Sequence, residues 1–345
     1  MRNNSNVLMI VGSYPPDMCG VGDYTYNLMN SSKANKWKLY YSKEWNLNTL
    51  FNKISEINKF KPEIIILQYP TQGYGWSIVP HILCILYSAF SSRKFVTVLH
   101  ELSNQSLKAK IAEYIFLLFS NRIIVTNDFE KKYAISICPF IVNRRISVAR
   151  IYSNIKAVSI IPKTVDRSID LVYFGHIRPN KGINEFINFI QELRNKNLNY
   201  KVALIGQVLP EYAAFYNELA SNIRQLNINT HINKTSEEVS ILLSDSKFAF
   251  FPFPDGLSER RGSFIAAALN GVIMISTIGK HTTANMISKI PLIDNNNLAF
   301  EKLLELVNMS PEELQNIQSS VLDYVDNFIP KSWDEVVEQY KLNIQ

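Results

Sequence analysis

Only three cysteines, Cys19, Cys84 and Cys138, occur in 345 residues. They are odd in number and far apart, with no C-x-x-C pair, so neither a disulfide framework nor a thiolate zinc site is encoded. The histidines, at positions 81, 100, 176, 231 and 281, are equally scattered and lack H-E-x-x-H spacing. No Asp-x-Asp pair occurs, and neither metal nor cofactor is expected. A nucleophilic Ser-His-Asp or Cys-His arrangement is not evident either. No apolar run reaches the ~20 residues that span a bilayer; the most apolar segment, Ile78 to Phe90, contains Pro80 and His81 and ends in Ser91-Ser92-Arg93-Lys94. No secretory signal precedes the first apolar strand, so a reduced, cytoplasmic chain is expected.

What is present is an ordinary globular composition, 47% hydrophobic and 19% charged, in a chain longer than one usual domain. The formal charge of +6 is unevenly spread. Residues 1–155 hold 18 Lys and Arg against 9 Asp and Glu, and residues 156–345 hold 18 against 21. The first half therefore calls for an anionic partner. Lys59/Lys61, Arg93/Lys94, Lys108/Lys110, Lys131/Lys132 and Arg144/Arg145 could meet nucleic acid, an acidic substrate or anionic lipid headgroups, or form a solvated basic surface. With the apolar stretches Ile78 to Phe90 and Ile111 to Phe119 they fit a domain that lies against a membrane without crossing it. Helices buried against a sheet have the same look.

β-Branched runs bounded by turns alternate with helical segments from Val7 to Tyr133, which predicts a parallel sheet covered on both faces. Strands are expected at Val7–Val11, Lys38–Tyr41, Ile64–Gln68, Phe95–Leu99 and Arg122–Thr126, and helices at Asp23–Met29, Leu47–Asn58, Val79–Ala89, Leu107–Phe119 and Asp128–Tyr133. The alternation restarts at Asp170–Gly175 and continues through helix Gly182–Arg194, strand Lys201–Gly206, helices Glu211–Leu226 and Ser236–Asp245, strand Phe248–Pro252, helix Ser263–Leu269 and strand Val272–Ser276. Ser310-Pro311-Glu312-Glu313 and Ser332-Trp333-Asp334-Glu335 mark two late helix starts, each with a capping serine and a Glu three residues on. The fold class is α/β, two doubly wound, Rossmann-like domains facing across a cleft. Their expected limits are 1–160 and 168–328, with a hinge near 156–168 and a last helix, 331–345, crossing back to the first domain.

The first strand leads into a loop with Tyr14-Pro15-Pro16 and Gly20-Val21-Gly22-Asp23-Tyr24-Thr25. Its glycine pair comes too late after the strand for a dinucleotide fingerprint. Helix-start N–H groups there suit an anionic or polyhydroxylated ligand. In the second half, Gly175-His176-Ile177-Arg178-Pro179-Asn180-Lys181-Gly182 puts an Arg and a Lys three apart on a loop that ends at a helix start, a compact cationic pocket for a diphosphate. Pro252 to Val272 reads as strand, loop, small-residue helix and strand, with Asp255, Gly256, Ser258, Glu259, Arg260, Arg261, Gly262 and Ser263 in the loop. Leu99-His100-Glu101 ends one first-half strand, and Gln68-Tyr69-Pro70 with Gln72-Gly73-Tyr74-Gly75 ends another. Asn127-Asp128 and Ser153-Asn154-Ile155 follow further strands and read equally as caps and turns.

These loops together resemble the family 4 retaining glycosyltransferases over nearly the whole chain, and the resemblance implies the two-Rossmann GT-B architecture. It implies that Arg178 and Lys181 hold the diphosphate of a nucleotide sugar and stabilise charge on the departing group, and that His100 touches the transferred sugar. Gly20, Gly22, Gly175, Gly206, Ser258, Glu259, Arg261, Gly262 and Ser263 are the expected donor contacts; Tyr14, Asp23, Gln68, Tyr69, Tyr74 and Glu101 are the expected acceptor contacts. The family's paired glutamates are missing, since alignment on Gly271 puts Ser258 and Ala266 in their places. Ser-Glu-Arg-Arg-Gly-Ser resembles a variant in one branch, with Glu259, Arg261 and Ser263 supplying the donor contacts; a degenerate site in which Ser263 only caps a helix is the other reading. The expected activity is retaining transfer of a sugar from a nucleotide diphosphate to a saccharide, most simply a polyprenyl-diphosphate-linked one in bacterial surface polysaccharide synthesis. Peripheral contact with the inner face of the membrane and no nucleic acid partner are expected. A non-catalytic sugar- or partner-binding module and a nucleotide-sugar epimerase are the rivals.

Overall fold

The computed structural model describes residues 6–17, 19–103 and 105–344; positions 1–5 and 345, at the ends of the expected first and last segments, lie outside them. The chain divides into two compact units. One runs to Tyr152 and resumes at Pro330; the other is Ser153–Ile329.

The first unit follows the alternation of its sequence: β1 (Val7–Val11), α1 (Gly20–Met29), β2 (Lys38–Tyr41), α2 (Leu50–Lys59), β3 (Ile64–Tyr69), α3 (Val79–Ala89), β4 (Lys94–Leu99), α4 (Leu107–Phe119), β5 (Arg122–Val125), α5 (Asp128–Ile137), α6 (Pro139–Val142) and β6 (Ile146–Val148). The strands form one sheet, β2-β1-β3-β4-β5-β6, parallel throughout. Strand period sorts the side chains into two cores. Leu8, Ile10, Ile65, Leu67 and Phe95 pack under Leu83, Phe116 and Leu117, and Val7, Met9, Ile66, Val96 and Val98 pack under Tyr24, Leu28 and the chain's last helix, Trp333–Ile344, through Val336, Val337 and Tyr340. Ser31 and Ser32 donate to Asp334 at 2.5 and 2.7 Å, and those bonds hold its carboxyl down at about 2. Gln339 accepts from the Arg150 N–H at 2.8 Å, and Asn343 donates to the Val148 carbonyl at 3.0 Å. The last helix is thus a member of the first unit.

The second unit repeats the plan with β7 (Ile169–His176), α7 (Ile183–Asn195), β8 (Val202–Gln207), α8 (Ala213–Gln225), β9 (Ile228–Ile232), α9 (Ser236–Ser244), β10 (Ser246–Phe251), α10 (Gly262–Leu269), β11 (Ile273–Thr277), α11 (Ala284–Lys289), β12 (Leu292–Ile293), α12 (Ala299–Val307) and α13 (Pro311–Phe328). Its sheet, β12-β11-β10-β7-β8-β9, is again parallel. Buried Arg167 donates to the carbonyls of Pro162, Ser246 and Asn270, and buried Gln318 donates to those of Pro162 and Gly271. These bonds fasten the segment entering the unit to the far end of α10. Ser310 and Glu313 form the expected capping box. Two expected helices begin instead as 3₁₀ turns, Leu47–Thr49 and Pro210–Tyr212, while α1 starts three residues earlier than its sequence pattern, at Gly20.

Glu113 turns inward from α4 and is 1% exposed; neither of its oxygens has a hydrogen-bond partner among the described residues. Burial, then the charges of Glu130 and Glu101, push its pKa up to about 9 against the opposing pull of Lys110. Between the ordinary carboxylate range and pH 9 the native state therefore holds a proton that the unfolded chain has released, and stability falls as pH rises through that window. A single such proton contributes a slope of at most about 1.4 kcal/mol per pH unit. Thermal melts from pH 5 to 9 should show a falling Tm in the wild type and a clearly flatter profile in Glu113→Gln. Parallel profiles would mean that Glu113 does not carry the proton.

Candidate functional site

In a doubly wound sheet the loops diverge where the winding reverses, and the carboxyl ends of the two strands flanking that point form a crevice. In the second unit these strands are β7 and β10. The loop after β7 carries Arg178 and Lys181, both half-buried. Its course is fixed by backbone: Ile177 N–H donates to the Gln207 carbonyl at 3.0 Å, and the Tyr173 hydroxyl donates to the Lys181 carbonyl at 2.8 Å. Gly182, with φ +82°, begins α7 without a side-chain cap. A β-carbon on it would lie 2.4 Å from the Pro252 carbonyl oxygen, so the loop after β7 sits directly on the end of β10. The uncapped first turn of this 13-residue helix leaves N–H groups for an anion beside Lys181.

The loop after β10 supplies the other wall. Arg261 pairs with Asp255 and lies over the Phe253 ring at 4.7 Å, and Arg260 reaches the same carboxylate at 3.6 Å. Arg261 and Arg178 both act on the buried Tyr173 hydroxyl, whose pKa rises chiefly through burial. Lys181 and Arg178, after desolvation, lower the pKa of His176. Arg178, Lys181 and Arg261 are therefore brought together around Tyr173 and His176 at one crevice. Ser258 is 2% exposed and its hydroxyl has no partner among the described residues, while Glu259 accepts from Tyr324 on α13 at 3.3 Å. The helix α10 starts at Gly262, with Arg261 at its cap position and no side-chain cap. Ser263 lies inside the helix and does not cap it. Gly262 has open space around it, whereas a β-carbon on Gly206 would strike Ile177 at 2.7 Å, which makes Gly206 a packing glycine. Gly175 sits at ordinary contact distance from Tyr173. A cavity of about 240 Å³ lined by Thr164, Asp170, Lys247 and Leu314 lies at the amino edge of this sheet, away from these loops.

The equivalent point of the first sheet is between β1 and β3, and the two loops there interlock. The Gly73 N–H donates to Ser13 Oγ at 2.7 Å, and a β-carbon on Gly73 would fall 1.7 Å from the Gly12 carbonyl oxygen. Gly22 also approaches the Ser13 carbonyl, at 2.8 Å for its missing β-carbon, while Gly20 has open space. Tyr14 lies among Tyr26 and Tyr41, with ring centroids 5.7 and 6.2 Å away. Asp23 occupies the first turn of α1, and burial raises its carboxyl. Tyr69 and Tyr74 are spent on the core: Tyr74 packs on Trp45 at 4.7 Å and Tyr69 on Phe116 at 4.7 Å, and they are 9 and 3% exposed. An aromatic-rich loop after a strand suggested a sugar platform, but burying these rings gains more than exposing them.

At the end of β4, His100 Nε2 bonds Gln68 Oε1 at 2.7 Å. Gln68 Nε2 donates in turn to Met9 Sδ at 3.1 Å and to the Tyr340 hydroxyl at 3.4 Å, so the Gln68 oxygen must accept and Nε2 of His100 carries the hydrogen. Desolvation pushes the histidine down to about 4; it is neutral at pH 7, with Nδ1 left as an acceptor. Tyr24 meets the ring edge-on at 5.0 Å and donates to Tyr340 at 3.0 Å. Gln68 is wholly buried, a support for His100. Glu101 is exposed beside it. The backbone N–H groups of Leu102 and Ser103 and the Ser103 hydroxyl donate to Glu130, which fixes the loop that follows. Asn127 and Ser153 act as a helix cap and a turn. Tyr340, Tyr324 and Tyr26 were not singled out from the sequence; the first two reach Gln68 and Glu259 across more than 60 positions and left no local signal.

No protein-family model and no curated protein matches this sequence. Solved structures do match it. A glycosyltransferase from Rickettsia africae superposes with a TM-score of 0.71 at 13% identity, over 99% of this chain and 98% of that one. The fold is that of the GT-B glycosyltransferases. Sucrose-phosphate synthase from Thermosynechococcus elongatus superposes equally well, 0.71 at 13% identity over 98% of both chains. HepE from Anabaena, solved with UDP and glucose, gives 0.69 at 12% identity over 98% of both. At such identities the likeness speaks for the GT-B fold.

Closing the space at Gly182 should be costly because its backbone is left-handed and its neighbour is a carbonyl. Gly182→Ala should lower unfolding stability by at least ~1 kcal/mol in urea titration. An unchanged midpoint would mean that the loop after β7 does not depend on its seat at Pro252.

Proposed function

We propose that this GT-B chain is a retaining glycosyltransferase that moves a sugar from a nucleoside diphosphate to a saccharide acceptor carried on a lipid. The observation that carries this reading is the convergence of Arg178, Lys181 and the uncapped starts of α7 and α10 at the switch point of the second sheet. Two side-chain cations and two helix ends suit the charge of a diphosphate, and they stabilise it further as the bond to the sugar breaks. Arg261 faces the same crevice, and Glu259 and the unpartnered Ser258 hydroxyl offer a carboxylate and a hydroxyl to the nucleoside, in the region where the resemblance would put paired glutamates. In the first unit, neutral His100 presents Nδ1 as an acceptor for a sugar hydroxyl. Tyr14 and Asp23, at the mouth of its interlocked loops, suit a polyhydroxylated acceptor.

No side chain is needed as nucleophile in this reading. The resemblance implies a front-face route in which the departing phosphate takes the acceptor proton, and the configuration at the sugar is kept. The missing glutamates favour one rival, a module that binds a nucleotide sugar without turning it over.

A panel of UDP-, ADP- and GDP-sugars in thermal-shift assays tests the donor site directly, because a ligand bound only by the native state stabilises it by about 2.7 kcal/mol at 100 times its Kd. At least one should raise Tm, and Arg178→Ala and Lys181→Ala should each abolish the rise and cut transfer ~10²-fold. Transfer should proceed in EDTA. Product analysis separates the readings: a glycoside of unchanged anomeric configuration supports this one, an isomeric nucleotide sugar an epimerase, and binding without product the module. No shift with any nucleotide sugar would remove the donor site.

A further inference from the structure

Part of the exposed apolar surface of the first unit lies on α4 and α6, in a stretch of chain that also carries basic residues. The buried side chains of α4 are Glu113, Phe116 and Leu117, yet Leu107, Ile111 and Tyr114, spaced four and three apart, are 75, 65 and 38% exposed. The helix is apolar on the face it turns to water as well as on the face it turns to the sheet, whereas a surface helix ordinarily carries polar residues there. Phe140 on α6 is 96% exposed, and the Tyr114 hydroxyl, 3.9 Å from Cys138 Sγ, brings the two helices together. Arg145 completes the join by donating to the carbonyls of Leu117, Leu118, Ser120 and Ile141. Its guanidinium is committed to the fold and takes no part in the basic surface its sequence position suggested.

Lys108 on α4, Lys132 on α5 and Arg144 just after α6 are exposed, and Lys110 lies over the Tyr133 ring at 5.0 Å, linking α4 to α5. The unit as a whole holds 20 Lys and Arg against 12 Asp and Glu. A second copy of the same face would bring like charges together; an anionic surface with an apolar interior matches both features. Among the described residues no helix is long and apolar enough to cross a membrane, so the contact is a surface one. We propose that the α4–α6 face docks on an anionic bilayer, with Leu107, Ile111 and Phe140 entering the headgroup layer and Lys108, Lys132 and Arg144 facing lipid phosphates. This stands apart from the donor site, and vesicle binding is read without any nucleotide sugar.

The test is sedimentation with phosphatidylcholine vesicles, with and without phosphatidylglycerol. The chain should pellet with the anionic vesicles, less so as salt shortens screening from about 30 Å at 0.01 M to about 8 Å at 0.15 M. Ile111→Ser with Phe140→Ser, and separately Lys108→Glu with Arg144→Glu, should each lower partitioning roughly 10-fold at an unchanged Tm. Lys43→Glu with Lys59→Glu makes the same change in net charge elsewhere on the unit and should leave most of the binding. Equal partitioning to both vesicle types, no partitioning at low salt, or an equal loss in the Lys43/Lys59 pair would overturn the proposal. So would a dimer in solution that Phe140→Ser dissociates, since a second copy would then be the occupant.

Discussion

The point at which each parallel sheet reverses its winding constrains everything else in this chain. Between β7 and β10 no crossover helix covers the strand ends, so the loops that follow must run outward and leave backbone N–H groups exposed. Gly182 is pressed on the Pro252 carbonyl so that one loop rests on the neighbouring strand, and Arg178 and Lys181 are held over that seat. The same constraint in the first sheet produces the Gly12–Gly73 contact and the Ser13 bond between the loops after β1 and β3. Both sheets thus build their candidate sites from loop against loop, with little freedom in either.

Around the second crevice the chemistry departs, in a physically consistent way, from the motif of the family 4 enzymes that the sequence resembles. Ala266, Ala267 and Ala268 are wholly buried, and their small side chains let α10 lie close against the sheet; position 266, where the resemblance would put a carboxylate, is apolar. Carboxylates are nonetheless present nearby: Asp255 holds Arg261, and Glu259 is oriented by Tyr324. The charges are arranged by pairing within the loop after β10 and by α13.

The architecture was legible because buried parallel strands read as continuous aliphatic runs. Val7–Val11, Ile64–Gln68 and Phe248–Pro252 needed no tertiary information, nor did the Ser310 capping box. The edge strands β6, β9 and β12 were missed since short or half-exposed strands carry polar residues such as Asn229, Thr230 and His231; the short helices α6 and α11 and the nine-residue α12 were not foreseen. At the sites, the Arg178–Lys181 spacing was local and visible. The supports of the two sites were not, because in the second unit Tyr324 reaches Glu259 across 65 positions and in the first Gln68 reaches Tyr340 across 272. Residue type also misled: Tyr69, Tyr74 and Arg145 look like ligand groups in sequence and are used as packing and as a carbonyl clamp.

The central claim is that Arg178 and Lys181 bind the diphosphate. Calorimetric titration of UDP and ADP, each beside its nucleoside, into the wild type and the Arg178→Ala and Lys181→Ala variants measures the phosphate contribution alone. The account predicts that at least one diphosphate binds at least ~10²-fold more tightly than its nucleoside, and that both variants erase most of that gap while leaving the nucleoside affinity unchanged. A gap of the same size in wild type and variants would contradict it.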